Sequence, residues 1–177
     1  MIMPSSSYSH FSDRDVGEIV AFLQTLPPVN RSLAPPRFGP MARFAAVMAG
    51  GELIPATSID NEEPHPAPVP RTLSVAFGAY LAGGCKSCHG ADLSGAPPAM
   101  GADVAAANLT PHAETGLGTW SLEDFDRAVR SGRRPDGSGL SVAMPWAALS
   151  ALTDIEVEAL WMYVRSVPAV EADRRSE

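Results

Sequence analysis

Cys85 and Cys88 are the only cysteines among 177 residues, and His89 follows them directly in the run Cys85-Lys86-Ser87-Cys88-His89. Thiols three positions apart stand about one helical turn from each other. This C-x-x-C-H pattern is the one that attaches haem covalently. Both sulfurs reach the two vinyl positions along one porphyrin edge, and His89 faces the iron as an axial ligand. Three other chemistries share parts of the pattern. A redox dithiol needs a βαβ setting and a helix N-terminus that lowers a thiol pKa, whereas here a small-residue helical pattern, Thr72 to Gly83, comes first. A structural zinc site needs four ligands, and His10, His65 and His112, the remaining histidines, lack paired spacing. A disulfide across two residues is strained and leaves His89 without a purpose.

The opposite face of the iron needs a ligand from far along the chain. Met144 lies in a turn-rich stretch just before Pro145, and a thioether there raises the reduction potential relative to a second histidine. Methionine more often fills gaps in a core, a fate that suits Met162 inside a helical pattern better. Met100 is only 11 residues from His89, and His112 is the alternative that would give a bis-His pair. Haem propionates need donors. Trp120 and Arg134, with Tyr80 and Arg133 beside them, are of the right type and equally suited to core or surface.

Helices must position these groups. Thr72–Leu81 is expected to form the first helix, ended by Gly83-Gly84. Gly90 to Gly118, rich in Gly, Pro, Ala and Asn, is expected to be loop around a bound group, since so long an irregular stretch is otherwise unusual in a small domain. Ser121 caps the next helix, which Gly132 closes. Residues 133–137 form a turn, and the closing helix runs from Thr153 to Val167.

The closing unit occurs twice. Shifted by 141 positions, residues 3–29 fall on 144–170 without a gap, with seven of 27 identical: Met3, Pro4, Ser9, Asp13, Val16, Pro27 and Val29. Each copy is a Met-Pro loop, a Ser or Thr N-cap (Ser12, Thr153), acidic residues in the first turn and apolar residues at helical spacing, stopping before a proline. Between the copies, residues 27–70 hold ten of the 17 prolines. That stretch reads as an extended linker, with a short helix within 41–54. The expected organisation is a remnant of a preceding domain at 1–30, a linker at 31–70, a compact helical domain at 71–170 and a tail at 171–177.

A net charge of -7 and a pI near 5.0, without a cluster of Lys and Arg, argue against a nucleic-acid surface. No apolar run reaches the roughly 18 residues of a membrane span, and residues 1–5 have neither a basic nor an apolar leader pattern.

Gly78-Ala79-Tyr80-Leu81, Cys85 to His89, Asn108-Leu109-Thr110-Pro111, Gly116 to Ser121, Asp124-Phe125, Arg134 to Gly137 and Ala143-Met144-Pro145 together resemble c-type cytochrome domains. The resemblance is to those in multihaem cytochrome subunits of membrane-bound bacterial dehydrogenases, of the alcohol and gluconate type, and it covers roughly residues 70 to 170. It implies an all-α cytochrome c fold and one haem c bound through Cys85 and Cys88, with His89 and Met144 as axial ligands. It also implies an electron carrier rather than an enzyme, working with a dehydrogenase and passing electrons towards quinone or a terminal oxidase in the periplasm. A small-ligand haem sensor or catalyst with a displaceable Met144, or a haem-less interaction remnant, are the competing expectations. The departure lies at the front, where the copy beginning at Met3 has no C-x-x-C-H before it. The expectation is a start assigned too late, or a degenerate descendant of a two-haem chain.

Overall fold

The computed structural model describes residues 8–32, 39–48, 59–60, 62–98 and 104–172, side chains at 45 and 46 excepted. Met3, Pro4, Pro35, Pro36 and Met100, and residues 173–177 of the expected tail, lie outside them. The chain divides into two compact units, Met1–Pro68 and Val69–Glu177. Among the described residues the regular structure is entirely helical, so the fold is all-α.

In the first unit, α1 spans Asp13–Thr25, and the Ser12 side chain accepts a hydrogen bond from the Asp15 N–H, an N-cap as the sequence predicts. A second helix, α2, occupies Pro40–Met48 inside the proline-rich stretch. Its proline sits in the first turn, where no N–H is missed.

The second unit is built on the crossing of α3, Val75–Leu81, with α7, Asp154–Ser166. Gly78 is the contact point. A Cβ on it would stand 1.9 Å from the Ala159 carbonyl oxygen and 2.8 Å from the Tyr163 Cβ, so only hydrogen allows the two backbones to meet. Ser74 caps α3 through the Phe77 N–H at 3.2 Å, which starts the helix at Val75 rather than at Thr72. The chain then departs from expectation again: α3 ends at Ala82, which stays right-handed, and Gly83 opens α4, Gly83–His89. The glycine pair therefore begins the helix that carries the cysteines instead of terminating its predecessor. Ala82 is fully buried, and the Lys86 ammonium lies over the Tyr163 ring at 5.6 Å, a side-chain link from α4 to α7.

Helix α5, Leu122–Ser131, begins with a reciprocal capping box between Ser121 and Asp124 and ends at left-handed Gly132. A single turn, α6, follows at Trp146–Leu149, and a second capping box, Thr153 with Glu156, starts α7. Leu93, Leu117, Phe125, Val129, Val157, Leu160 and Val164 form the core, with the Phe125 and Trp161 rings 5.4 Å apart. Arg165 stacks over Trp161 and donates to the Leu117 and Gly118 carbonyls, tying the loop before α5 to α7.

The two copies of the repeat differ in what they bury. Val157, Leu160 and Val164 of α7 keep 1 to 6 % of their surface, whereas Val16, Ile19 and Leu23 at the matching positions of α1 keep 41 to 56 %.

Gly78→Ala is expected to destabilise the protein by about 1–3 kcal/mol through overpacking, against a helix-propensity gain of about 0.5–1 kcal/mol. Denaturant unfolding is the measurement, and a variant as stable as the parent would contradict the backbone contact.

Candidate functional site

Cys85 and Cys88 lie one turn apart on α4, both as free thiols, and their surroundings differ. Cys88 is exposed, while Cys85 packs against the core. Burial, with Cys88 nearby, pushes the Cys85 thiol above its ordinary range, so it is neutral at physiological pH.

His89 closes α4 and is buried. Its Nδ1 is 2.7 Å from the Ala107 carbonyl oxygen. A carbonyl can only accept, so Nδ1 carries the proton and Nε2 presents its lone pair. Burial lowers the imidazole pKa, opposed in part by that hydrogen bond, which keeps the ring in the neutral form that ligates metals.

The Ala107 carbonyl reaches His89 because the chain doubles back. Gly95 N–H donates to the His89 carbonyl at 2.9 Å, and Ala96 and Ala106 exchange two backbone hydrogen bonds of 3.2 and 2.9 Å. Gly95 is left-handed at φ +103, and a Cβ there would lie 2.7 Å from the Ala106 oxygen. Leu93 is left-handed too, at φ 65, and completely buried. Its carbonyl accepts from the Leu109 N–H at 2.8 Å.

Asn108 fixes the far side. Its Oδ1 accepts from the Thr110 N–H at 2.8 Å, and its Nδ2 donates to the Val170 carbonyl at 2.7 Å and to Thr115 Oγ1 at 3.1 Å. The Val170 N–H donates to Thr110 Oγ1. Residues 107–110 are thus anchored to the segment after α7.

The other sequence-predicted residues occupy the same unit. Met144 is half-buried in the segment between α5 and α6, its N–H bonded to the Ser141 carbonyl and its own carbonyl accepting from Trp146. Trp120 is half-buried against the core cluster that Cys85 also touches. Arg134 donates from one terminal nitrogen to Ser138 Oγ and the Gly139 carbonyl, closing its own turn. His112 turns back on Thr115, whose N–H donates to Nδ1, and Met162 is exposed on α7.

Two free thiols one turn apart, and a neutral imidazole held through Nδ1 with Nε2 left over, form a donor set that fits a covalently bound haem. A cytochrome c family model matches residues 76–168. The chain belongs to the cytochrome c family. Similar proteins include the fructose dehydrogenase cytochrome subunit of Gluconobacter japonicus, 38% identical over 112 residues, which are 58% of this chain and 23% of that protein. The cytochrome c subunit of the quinone-dependent alcohol dehydrogenase of Gluconacetobacter polyoxogenes is 39% identical over 98 residues, 50% of this chain and 21% of that protein. A diheme cytochrome c-type protein of Cereibacter sphaeroides is 28% identical over 184 residues, 95% of this chain and 59% of that protein. The chain therefore spans about a fifth to a quarter of these two dehydrogenase subunits. As a cytochrome c it is an electron-transfer domain of the haem c class.

Sequence reasoning did not find the role of the Ala107 carbonyl, because every residue carries one. The polar Asn108 and Thr110 inside an otherwise small, apolar stretch were the available signal that this loop is tied down. Asn108→Ala in this cytochrome c is expected to cost about 1–3 kcal/mol, since it leaves buried partners unpaired. A denaturant midpoint within error of the parent would remove Asn108 from the frame of the site.

Proposed function

We propose that this chain carries one haem c, attached through Cys85 and Cys88, with His89 and Met144 as axial ligands. It relays electrons from a dehydrogenase towards quinone or a terminal oxidase on the periplasmic side of the membrane. The observation that carries the reading is the buried, neutral His89, its Nδ1 held by Ala107 at 2.7 Å and its Nε2 left to ligate. The haem supplies a reversible one-electron iron couple. The chain's own contributions would be the fixed imidazole ring, the apolar core that includes Leu93, Leu117 and Leu160 and a thioether that raises the potential relative to a second imidazole. With His89 and Met144 both bound to the iron, no position would be left open for a substrate, which favours a relay. Trp120, beside the core, and the Arg134 guanidinium, with donors beyond those used in its turn, serve the propionates.

A dehydrogenase partner is supported by the fructose, alcohol and gluconate dehydrogenase names of the relatives. The short share of each relative that is matched supports a reading of residues 71–170 as one haem domain of a larger assembly. Among the described residues no helix is long and apolar enough to cross a membrane.

Expression with an export signal and a cytochrome maturation system tests the site. The parent should give a covalent c-type spectrum with the sulfur-to-iron charge-transfer band of the oxidised form. Cys85→Ser with Cys88→Ser should abolish haem staining after denaturing electrophoresis. Met144→Ala should remove the charge-transfer band, and Met144→His should lower the midpoint potential. A band that survives Met144→Ala would exclude Met144 as ligand, and rapid carbon monoxide binding by the reduced parent would replace the relay with a small-ligand sensor.

Residues 1–30 we assign to the closing unit of a second domain of the same kind, joined by the linker at 31–70. The ungapped repeat, the exposed apolar stripe of α1 and the match of the diheme relative along 95% of the chain support this. A 13-residue helix that buries no residue is marginal by itself. Amide exchange along Asp13–Thr25 is therefore expected to be far faster than along Asp154–Ser166. Equal protection of the two helices would sink this assignment.

A further inference from the structure

Met144 lies in a segment without regular structure, so something other than a helix has to place its sulfur. The segment is pinned at both ends, and both pins are on Gly132, the residue that caps α5. At its start, the Leu140 N–H donates to the Gly132 carbonyl at 2.7 Å and the Arg134 N–H to the Ser138 carbonyl at 2.9 Å, which sets Arg133 opposite Gly139. At its end, the Trp146 indole lies flat on Gly132. A Cβ there would meet Cε2, Cδ2 and Nε1 at 2.7, 2.8 and 2.9 Å. Gly132 is also left-handed at φ +66, so two separate demands exclude a side chain at this position.

Arg130 extends the hold. Its Nε is paired with Asp126 at 2.6 Å, which fixes the guanidinium on the surface of α5. One terminal nitrogen then donates to the Leu152 carbonyl at 2.6 Å and to Ser150 at 3.4 Å, and the other pairs with Asp154 at 2.7 Å. These three acceptors lie on the chain that leaves α6 and enters α7. A planar guanidinium can serve all of them at once, and a lysine ammonium cannot. Met144 stands between the two pins, four residues after Leu140 and two before Trp146. Its backbone is further closed by bonds to Ser141 and from Trp146.

We infer that Arg130, Gly132 and Trp146 form a latch that positions Met144, setting how readily its thioether leaves the iron. They touch neither iron nor substrate on this reading, and they act through the loop they hold. The inference rests on Met144 being the distal ligand. The latch makes that ligand slow to exchange and so protects the relay from small molecules.

The experiment uses the reduced and oxidised holoprotein. Arg130→Gln and Trp146→Ala are expected to speed carbon monoxide binding to the reduced form by about tenfold, the factor that loss of a charged hydrogen bond corresponds to. Both should also weaken the charge-transfer band of the oxidised form. Arg130→Lys, which keeps the charge but not the fork, should fall between Arg130→Gln and the parent. Arg127→Gln, which removes a comparable surface pair with Glu123 and Asp124 on the same helix, should leave binding at the parental rate. If Arg130→Gln lowers the melting temperature and leaves both the carbon monoxide rate and the band unchanged, the residue is structural only and the latch is wrong. Should Trp146→Ala fail to fold, the Arg130 pair decides alone. Met144→Ala separates the two levels: a band that it abolishes and Arg130→Gln does not touch overturns the latch, whereas a band that it leaves intact overturns the ligand reading beneath it.

Discussion

The second unit depends on two backbones that touch. At Gly78 and Ala159 the helices α3 and α7 come close enough that even a methyl group is excluded. That closeness decides more than their own packing, because α4 begins one residue after α3 has ended. Ala82 is buried and right-handed, so the chain turns into α4 with no slack. The depth at which Cys85, Cys88 and His89 sit relative to the core is therefore set at the crossing. Lys86 over Tyr163 adds a link from α4 to α7. The site is built on a joint rather than on a loop.

The part of the site that has no helix is organised by polar contacts instead. Irregular backbone leaves N–H and C=O groups without regular partners, and these must be found elsewhere. In the segment after α7 the partners are side chains of the loop: the Val170 carbonyl accepts from Asn108 Nδ2 and Thr110 Oγ1, and the Val170 and Ala172 N–H groups donate to Thr110 Oγ1 and Thr115 Oγ1. The segment after α7 is thus a splint for the residues that hold His89.

What could be read in the sequence was chemistry confined to a few neighbouring residues. Ser121 with Asp124 and Thr153 with Glu156 cap helices over three positions, and Gly132 ends one alone; each reads correctly because cause and effect are adjacent. The all-α fold followed from such signals and from apolar spacing. The glycine pair at 83–84 misled because glycine is informative where a left-handed residue is needed, and the turn at Ala82 needs none. Distance defeated the rest. His89 and Ala107 are 18 residues apart, and Arg130 reaches acceptors 20 to 24 residues on. No local pattern distinguishes a guanidinium that spans such a gap from one in solvent, nor a carbonyl that orients a ring from its neighbours.

Leu93 carries one more consequence. A left-handed leucine costs about 1–2 kcal/mol, and burying its side chain returns about 1.5–3 kcal/mol, so the conformation persists only while the side chain stays inside. Slipping the loop by one residue would hand the unfavourable backbone to Asp92 or Ser94, with no apolar group to bury in return. The loop consequently has a single energetic register. Leu93 works as an indexing pin: it fixes which carbonyl along the returning strand of chain arrives opposite His89.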